Sequence, residues 1–282
     1  MNPPITIDSR SSFSKHAVGW LSVAAVLLGY AALYTANYLL PMDGRNYTTR
    51  IWDWSQTSLM VVAIFITLWH WRAVTLRLTL LGFALAVLSG LSHWQHDPSL
   101  AASFLEGLAV WACFVAGTVL FEKRTACIPA FEPSLLRFGK HISLGLLLAL
   151  PLTALNNLYF YLNAGSIHFQ NVFASAFEAL SPAIHEEIVF RFFVIALVLR
   201  LLQSCLPSRF AMPTAIFLAV VPHSLNHLPE LFLENPVMGL FMLAATCLLF
   251  GLPMALLQIK RSLETAIAFH WFIDFARFLF GF

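Results

Sequence analysis

Charge is what this sequence has least of. Lys, Arg, Asp and Glu make up 11% of its 282 residues, against about 25% in an ordinary soluble domain. With 59% hydrophobic residues and a mean hydropathy of +0.77, the composition excludes a soluble globular chain and predicts an all-α polytopic membrane protein. The net charge of +2 is small, and no basic run follows a candidate recognition helix, which sets aside a nucleic-acid partner. Cysteine is also sparse: Cys113, Cys127, Cys205 and Cys247 lie in or beside apolar segments without a CxxC pair, and read as small buried hydrophobes. Internal repeats, low-complexity tracts and long linkers are missing too, so 1–282 reads as one membrane domain.

What the sequence has in quantity is apolar runs. A span needs about 20 mainly apolar residues, and nine stretches roughly qualify: Ala17 to Leu40, Thr57 to Trp71, Leu76 to Leu91, Leu100 to Phe121, Ile142 to Leu162, Pro182 to Leu202, Phe210 to His227, Pro236 to Ile259 and Leu263 to Phe282. The second and third are short enough to be read instead as a tight or re-entrant pair, giving eight or nine spans. The first follows Arg10 and Lys15, exceeds a signal-peptide core and lacks a small-residue cleavage site, so it is expected to be retained.

Cytoplasmic loops carry the Lys and Arg excess. With the N-terminus inside, twelve basic residues fall on the cytoplasmic side, among them Arg72, Arg77, Lys123, Arg124, Arg137, Lys140, Arg200, Arg209, Lys260 and Arg261. Only Arg45, Arg50 and Arg277 fall outside. The expected localisation is therefore a multi-pass protein of the cell (inner) membrane with its C-terminus extracytoplasmic. Between Asn163 and Ser181, Phe169, Val172, Phe173, Ala176, Phe177 and Leu180 recur at helical spacing, which predicts an amphipathic helix on the outer interface.

Three charges stand in the span "SPAIHEEIVFRFFVIALVLR". A charge near the bilayer centre costs about 2.5–3.5 kcal/mol even on a lenient scale, so Glu186, Glu187 and Arg191 need a partner or a use. At about 100° per residue, Arg191 shares a face with Glu187 and points away from Glu186. Glu187 and Arg191 are expected to pair, leaving Glu186 free to act as a general base or acid on water. Two more spans carry polar groups at similar depth: His223, Asn226 and His227 in "AVVPHSLNHLPE", and His270 and Asp274 in "AIAFHWFIDFARF". Counted along the helices, these lie near the outer surface. Ser181 and Ser224 are available hydroxyls, expected to bond to backbone rather than to act as nucleophiles.

The ordered set EExxxR, His and HxxxD on three separate spans resembles the motifs of the CPBP family, the glutamic intramembrane proteases that include CAAX prenyl endopeptidases and bacteriocin-processing or Abi proteins. The resemblance covers Phe169 to Phe282 and implies a CPBP-type core in 163–282, with 1–162 as accessory spans. It implies Glu186 and His223 as the groups that activate water, His270 and Asp274 as groups that orient it or stabilise the oxyanion, and Glu187, Arg191, His227 and Asn226 in support, with no cofactor. The family's second motif usually has Phe four residues before its His, where this chain has Ala219. His223 fits the expected spacing, and His227 stays as the alternative.

Two other readings use the same residues. His223 and His227, with Glu186, His270 or Asp274, have the spacing of a zinc site. Membrane carboxylates and histidines also relay protons in transporters or scaffolds, although no inverted repeat is visible. For a protease with an outward site, the expected partner is a membrane-anchored or exported protein: a C-terminal sorting signal, as in the myxosortase-like branch, or an exported leader.

Overall fold

The computed structural model describes residues 9–42, 44–122 and 134–282. Cys127, Lys123 and Arg124, and the side chains of Arg10 and Lys15, fall outside them. Among the described residues there are helices and no strand: α1 (Ser9–Leu39), α2 (Tyr47–Trp69), α3 (Leu76–His96), α4 (Leu100–Glu122), α5 (Leu135–Ala164), α6 (Val172–Glu178), α7 (Leu180–His185), α8 (Val194–Leu202), α9 (Ser208–Leu225), α10 (Pro229–Glu234), α11 (Pro236–Thr246), α12 (Leu252–Lys260) and α13 (Leu263–Leu279). Two π segments, Glu186–Phe193 and Cys247–Gly251, join α7 to α8 and α11 to α12 into continuous rods.

Polar caps punctuate the apolar runs. The side chains of Asn46, Thr75 and Ser262 accept hydrogen bonds from the first turns of α2, α3 and α13, and Gly165 closes α5 in the left-handed region at φ 75°. The expectation of a short second span fails at such a cap. α2 begins ten residues before Thr57, because "YTTRIWDWSQ" is helical and buries Arg50, Ile51 and Ser55. With 23 and 21 residues, α2 and α3 are each long and apolar enough to cross a bilayer.

Among the described residues, nine long rods run at the positions of the nine apolar stretches. Six of them are long and apolar enough to cross a bilayer, among the described residues: His16–Leu39, α2, α3, Leu100–Phe121, α5 and Pro236–Lys260. The other three, Leu180–Leu202, α9 and α13, are shorter or hold the polar residues of interest. Helix ends meet in two sets. At one end Ser92 Oγ donates to Phe177 O (2.6 Å) and His168 N to Phe280 O (3.0 Å), while at the other His141 Nδ1 lies 2.9 Å from Glu264 Oε1.

The helix at the centre is α4, with 78% of its apolar window buried, against 11% for α1. Glycine permits its close packing: a Cβ at Gly107 would lie 2.9 Å from Ala86 O of α3, and one at Gly117 would lie 2.6 Å from Phe192 Cε1. Phe192 instead packs between Phe114 and Phe121 of α4. The π segment that bears the Glu pair is thereby held against the most enclosed helix of the bundle.

Candidate active site

The regular α-helix expected for EExxxR is replaced by i→i+5 turns over Glu186–Phe193. Such π insertions are rare and frequent at functional sites. The widened turn keeps the expected pairing: Arg191 Nη1 lies 2.5 Å from Glu187 Oε1, both groups being buried. Glu187 Oε1 also lies 2.9 Å from His270 Nδ1, and Arg191 Nη2 lies 3.1 Å from His223 Nδ1. One ion pair on the Glu helix therefore orients a histidine on each of two other helices.

Glu186 has a different environment. Its Oε2 lies 3.0 Å from His223 Nε2 and 3.7 Å from His270 Nε2, and its side chain is 12% exposed. His270 Nε2 is also 3.2 Å from Asp274 Oδ2, and Arg277 Nη2 is 3.4 Å from Asp274 Oδ1. Arg277 thus belongs to the site and not to an outer loop. Arg50 leaves the loop count as well: it is buried in the first turn of α2, where it donates to Asn37 Oδ1 (2.8 Å), Pro41 O (2.7 Å) and Asn37 O at the end of α1.

Hydrogen-bond roles assign the protons. Arg191 can only donate, so His223 Nδ1 must accept. A neutral imidazole then carries its proton on Nε2, the nitrogen that faces Glu186. This same bond bears on metal binding. Ligand atoms of Glu186, His223 and His227 lie within 4.8 Å of one another, but a neutral His223 has one lone pair and Arg191 occupies it. The donor set does not fit a zinc site that uses His223 Nε2. Both nitrogens of His270 face carboxylate oxygens, Nδ1 that of Glu187 at 2.9 Å and Nε2 that of Asp274 at 3.2 Å.

Every sequence-predicted site residue is near this cluster, in two layers. Glu186, Glu187, Arg191, His223, His270 and Asp274 are joined directly. His227 is exposed at the rim with its ring 5.2 Å from that of His223, and Asn226 is buried beside Tyr30 Oη at 2.7 Å. Ser181 departs from its expected backbone bond and donates to Glu106 Oε1 at 2.7 Å.

Residues 168–276 match the family described as type II CAAX prenyl endopeptidase Rce1-like. The chain is similar to this family over that segment, 109 of its 282 residues. No curated protein and no solved structure matches the chain. The Rce1-like segment holds the whole constellation from Glu186 to Asp274 and stops one residue short of Arg277, which agrees with an intramembrane endopeptidase.

Outside the Rce1-like segment, sequence reasoning missed three contributors. Trp52 of α2 stands edge-on to Phe190, His223 and His227 at ring distances of 4.9, 5.2 and 4.9 Å, and walls the site. Glu106 of α4 forms a second polar cluster, accepting from Ser89 Oγ at 2.5 Å and from Ser181, with His93 Nδ1 2.7 Å away. Glu106 and His93 line an open cavity of about 500 Å³ beside α2 and α4, which Arg45 and Asp53 also line. The third is Tyr30. A polar pattern in the first four spans was the available signal, but each residue looks like a helix-end residue until its distant partner is known.

Proposed function

We propose that this chain is an intramembrane glutamic endopeptidase that hydrolyses a peptide bond of a membrane-associated substrate. One observation carries the reading: Glu186 is the motif carboxylate that no arginine neutralises, and it faces the protonated nitrogen of His223 at 3.0 Å. Glu186 takes a proton from water as the oxygen adds to the scissile carbonyl carbon, and the carbonyl electron pair moves onto oxygen. The N–H groups of His223 and His270 are the available donors to that oxyanion. On collapse the C–N bond breaks, and Glu186 delivers its proton to the leaving nitrogen. Glu187 and Arg191 keep the two histidines in register, and no covalent enzyme intermediate is required.

The site lies at the end of the bundle opposite Arg72, Arg137, Lys140, Arg209 and Lys260, so the positive-inside rule supports an extracytoplasmic address, with the N-terminus inside. Pairing of Arg50 and Arg277 within the fold leaves Arg45 as the outer-loop base, which sharpens the asymmetry. A substrate met there has already crossed the membrane. We favour a C-terminal sorting signal with its own hydrophobic segment, as in the myxosortase-like branch, over an exported leader. Exposed Phe169, and Val172 and Phe173 in the first turn of α6, suit a lipid-facing approach to the site.

Comparative proteomics of membrane and exported proteins from cells carrying wild type or Glu186→Ala tests this. Uncleaved C-termini or leaders should accumulate in the variant; an identical proteome would favour a transporter or scaffold. The zinc reading rests on the proximity of Glu186, His223 and His227 and is opposed by the Arg191 bond. Chelator-sensitive cleavage restored by zinc, with stoichiometric metal in the purified protein, would establish it against our expectation.

A further inference from the structure

Tyr30, Tyr34 and Tyr38 recur every fourth residue and share one face of α1. Their hydroxyls reach Pro222 O at 2.7 Å, Leu225 O at 3.2 Å and Pro229 O at 3.0 Å. These carbonyls lie at the end of α9 and the start of α10; Pro222 O and Leu225 O also accept from Asn226 N at 3.2 Å and Leu228 N at 3.1 Å, so Tyr30 and Tyr34 each add a second donor. α1 is otherwise the least enclosed of the candidate spans; at this end Arg50 and Tyr47 tie it to α2, and the three hydroxyls tie it to the end of α9 and the start of α10.

Tyr30 lies 2.7 Å from both Pro222 O and Asn226 Oδ1. One hydroxyl proton cannot serve two acceptors. Turning the Asn226 amide over, a change invisible to its shape, resolves the conflict. Tyr30 then donates to Pro222 O and accepts from the Asn226 amide nitrogen, which otherwise has no partner though buried. Tyr30 so fixes the backbone one residue before His223 and the side chain one residue before His227. Pro222 has no N–H to tie this stretch to the preceding turn, which makes an outside anchor the more necessary.

We propose that Tyr30 is a positioning residue: α1 is a strap, and Tyr30 holds the end of α9 so that His223 Nε2 faces Glu186. The catalytic half of this rests on the hydrolase reading above; the strap half does not. Neither half involves the matched segment alone, because Tyr30 lies about 140 residues before it.

The test uses full-length Tyr30→Phe in lipid nanodiscs. Amide hydrogen exchange at Asn226, His227 and Leu228 should rise about tenfold, with α13 unchanged. The substrate is the endogenous protein that accumulates in Glu186→Ala cells. Its cleavage by Tyr30→Phe should show kcat about tenfold lower and KM within about twofold of wild type, the split expected when geometry rather than binding is lost. Tyr34→Phe and Tyr38→Phe should lower kcat less. Unchanged exchange overturns the strap; unchanged kcat with raised exchange overturns the positioning role. If no protein accumulates in Glu186→Ala cells, the positioning role falls with the hydrolase reading while the exchange result still decides the strap. Should Tyr30→Phe fail to fold, Asn226→Ala removes one of the two anchors, and an exchange rise under about twofold there overturns the strap.

Discussion

Glu106 and Glu186 are two carboxylates on neighbouring rods of one bundle, and they are treated in opposite ways. Glu106 is filled: Ser89, Ser181 and His93 approach its two oxygens within 2.7 Å. Glu186 is left with histidine nitrogens at 3.0 and 3.7 Å and a partly open face. A saturated carboxylate is locked in one state and ties α3, α4 and α7 together. An unsaturated one has lone pairs to spend on water. The lesson is that an acid inside a bundle is best judged by its vacant acceptor positions together with its exposure: Glu106 is buried and filled, Glu186 half-buried and open.

The largest effect expected is from Glu186→Gln, which should cut cleavage about 10²- to 10⁴-fold while the thermal unfolding midpoint in detergent stays that of wild type. Arg191→Met should act mainly on folding. It strands Glu187 as a buried charge, at about 3–5 kcal/mol, read as lost expression or a lowered midpoint. Glu106→Gln should cost about 1–3 kcal/mol of stability and leave turnover within a few-fold. Lost cleavage at unchanged stability in Glu106→Gln would break the contrast between the two acids.

The smallest effect concerns Glu230, on the connecting helix α10. Burial by itself raises its pKa, but hydrogen bonds from Thr48 Oγ1 and N outweigh that and hold the carboxyl below its ordinary value. A depressed folded-state pKa stabilises above the unfolded value, and that stabilisation is lost as pH falls through the folded one. The protection factor of the Thr48 amide, its exchange referred to the intrinsic rate at each pH, should therefore fall in acid for wild type and stay constant in Glu230→Gln.

Much of the site was legible because its pairs are local. Glu187 with Arg191 and His270 with Asp274 stand four apart, and helical periodicity alone brings each pair onto one face. The apolar runs gave the positions of the rods for the same reason. What was hidden depends on partners far along the chain. Glu106 meets Ser181 across 75 residues and Tyr30 meets Asn226 across 196, and nothing local in "SFLEGLAV" or "LLGYAALY" announces either contact. Arg50 was misread as a loop charge because its donors are spent on the end of α1, a satisfaction visible only once the α1–α2 turn exists. The geometry of the Glu helix was misjudged because a fixed advance of about 100° per residue was assumed.

That π segment has a consequence for how the protein tolerates change. A π turn is an α-helix that has absorbed extra sequence without lengthening the frame. Removing one residue between Ile188 and Phe190 would let Glu186–Phe193 relax toward ordinary α geometry, with α7 and α8 still connected. The apolar rod would survive with its two ends in register, but the widened turn that carries Glu186 would close, and its carboxyl would no longer stand between His223 and His270. A one-codon deletion at this place should thus separate folding from chemistry more cleanly than most substitutions, and a chain that lost it would persist in the membrane as an inert copy of the same architecture.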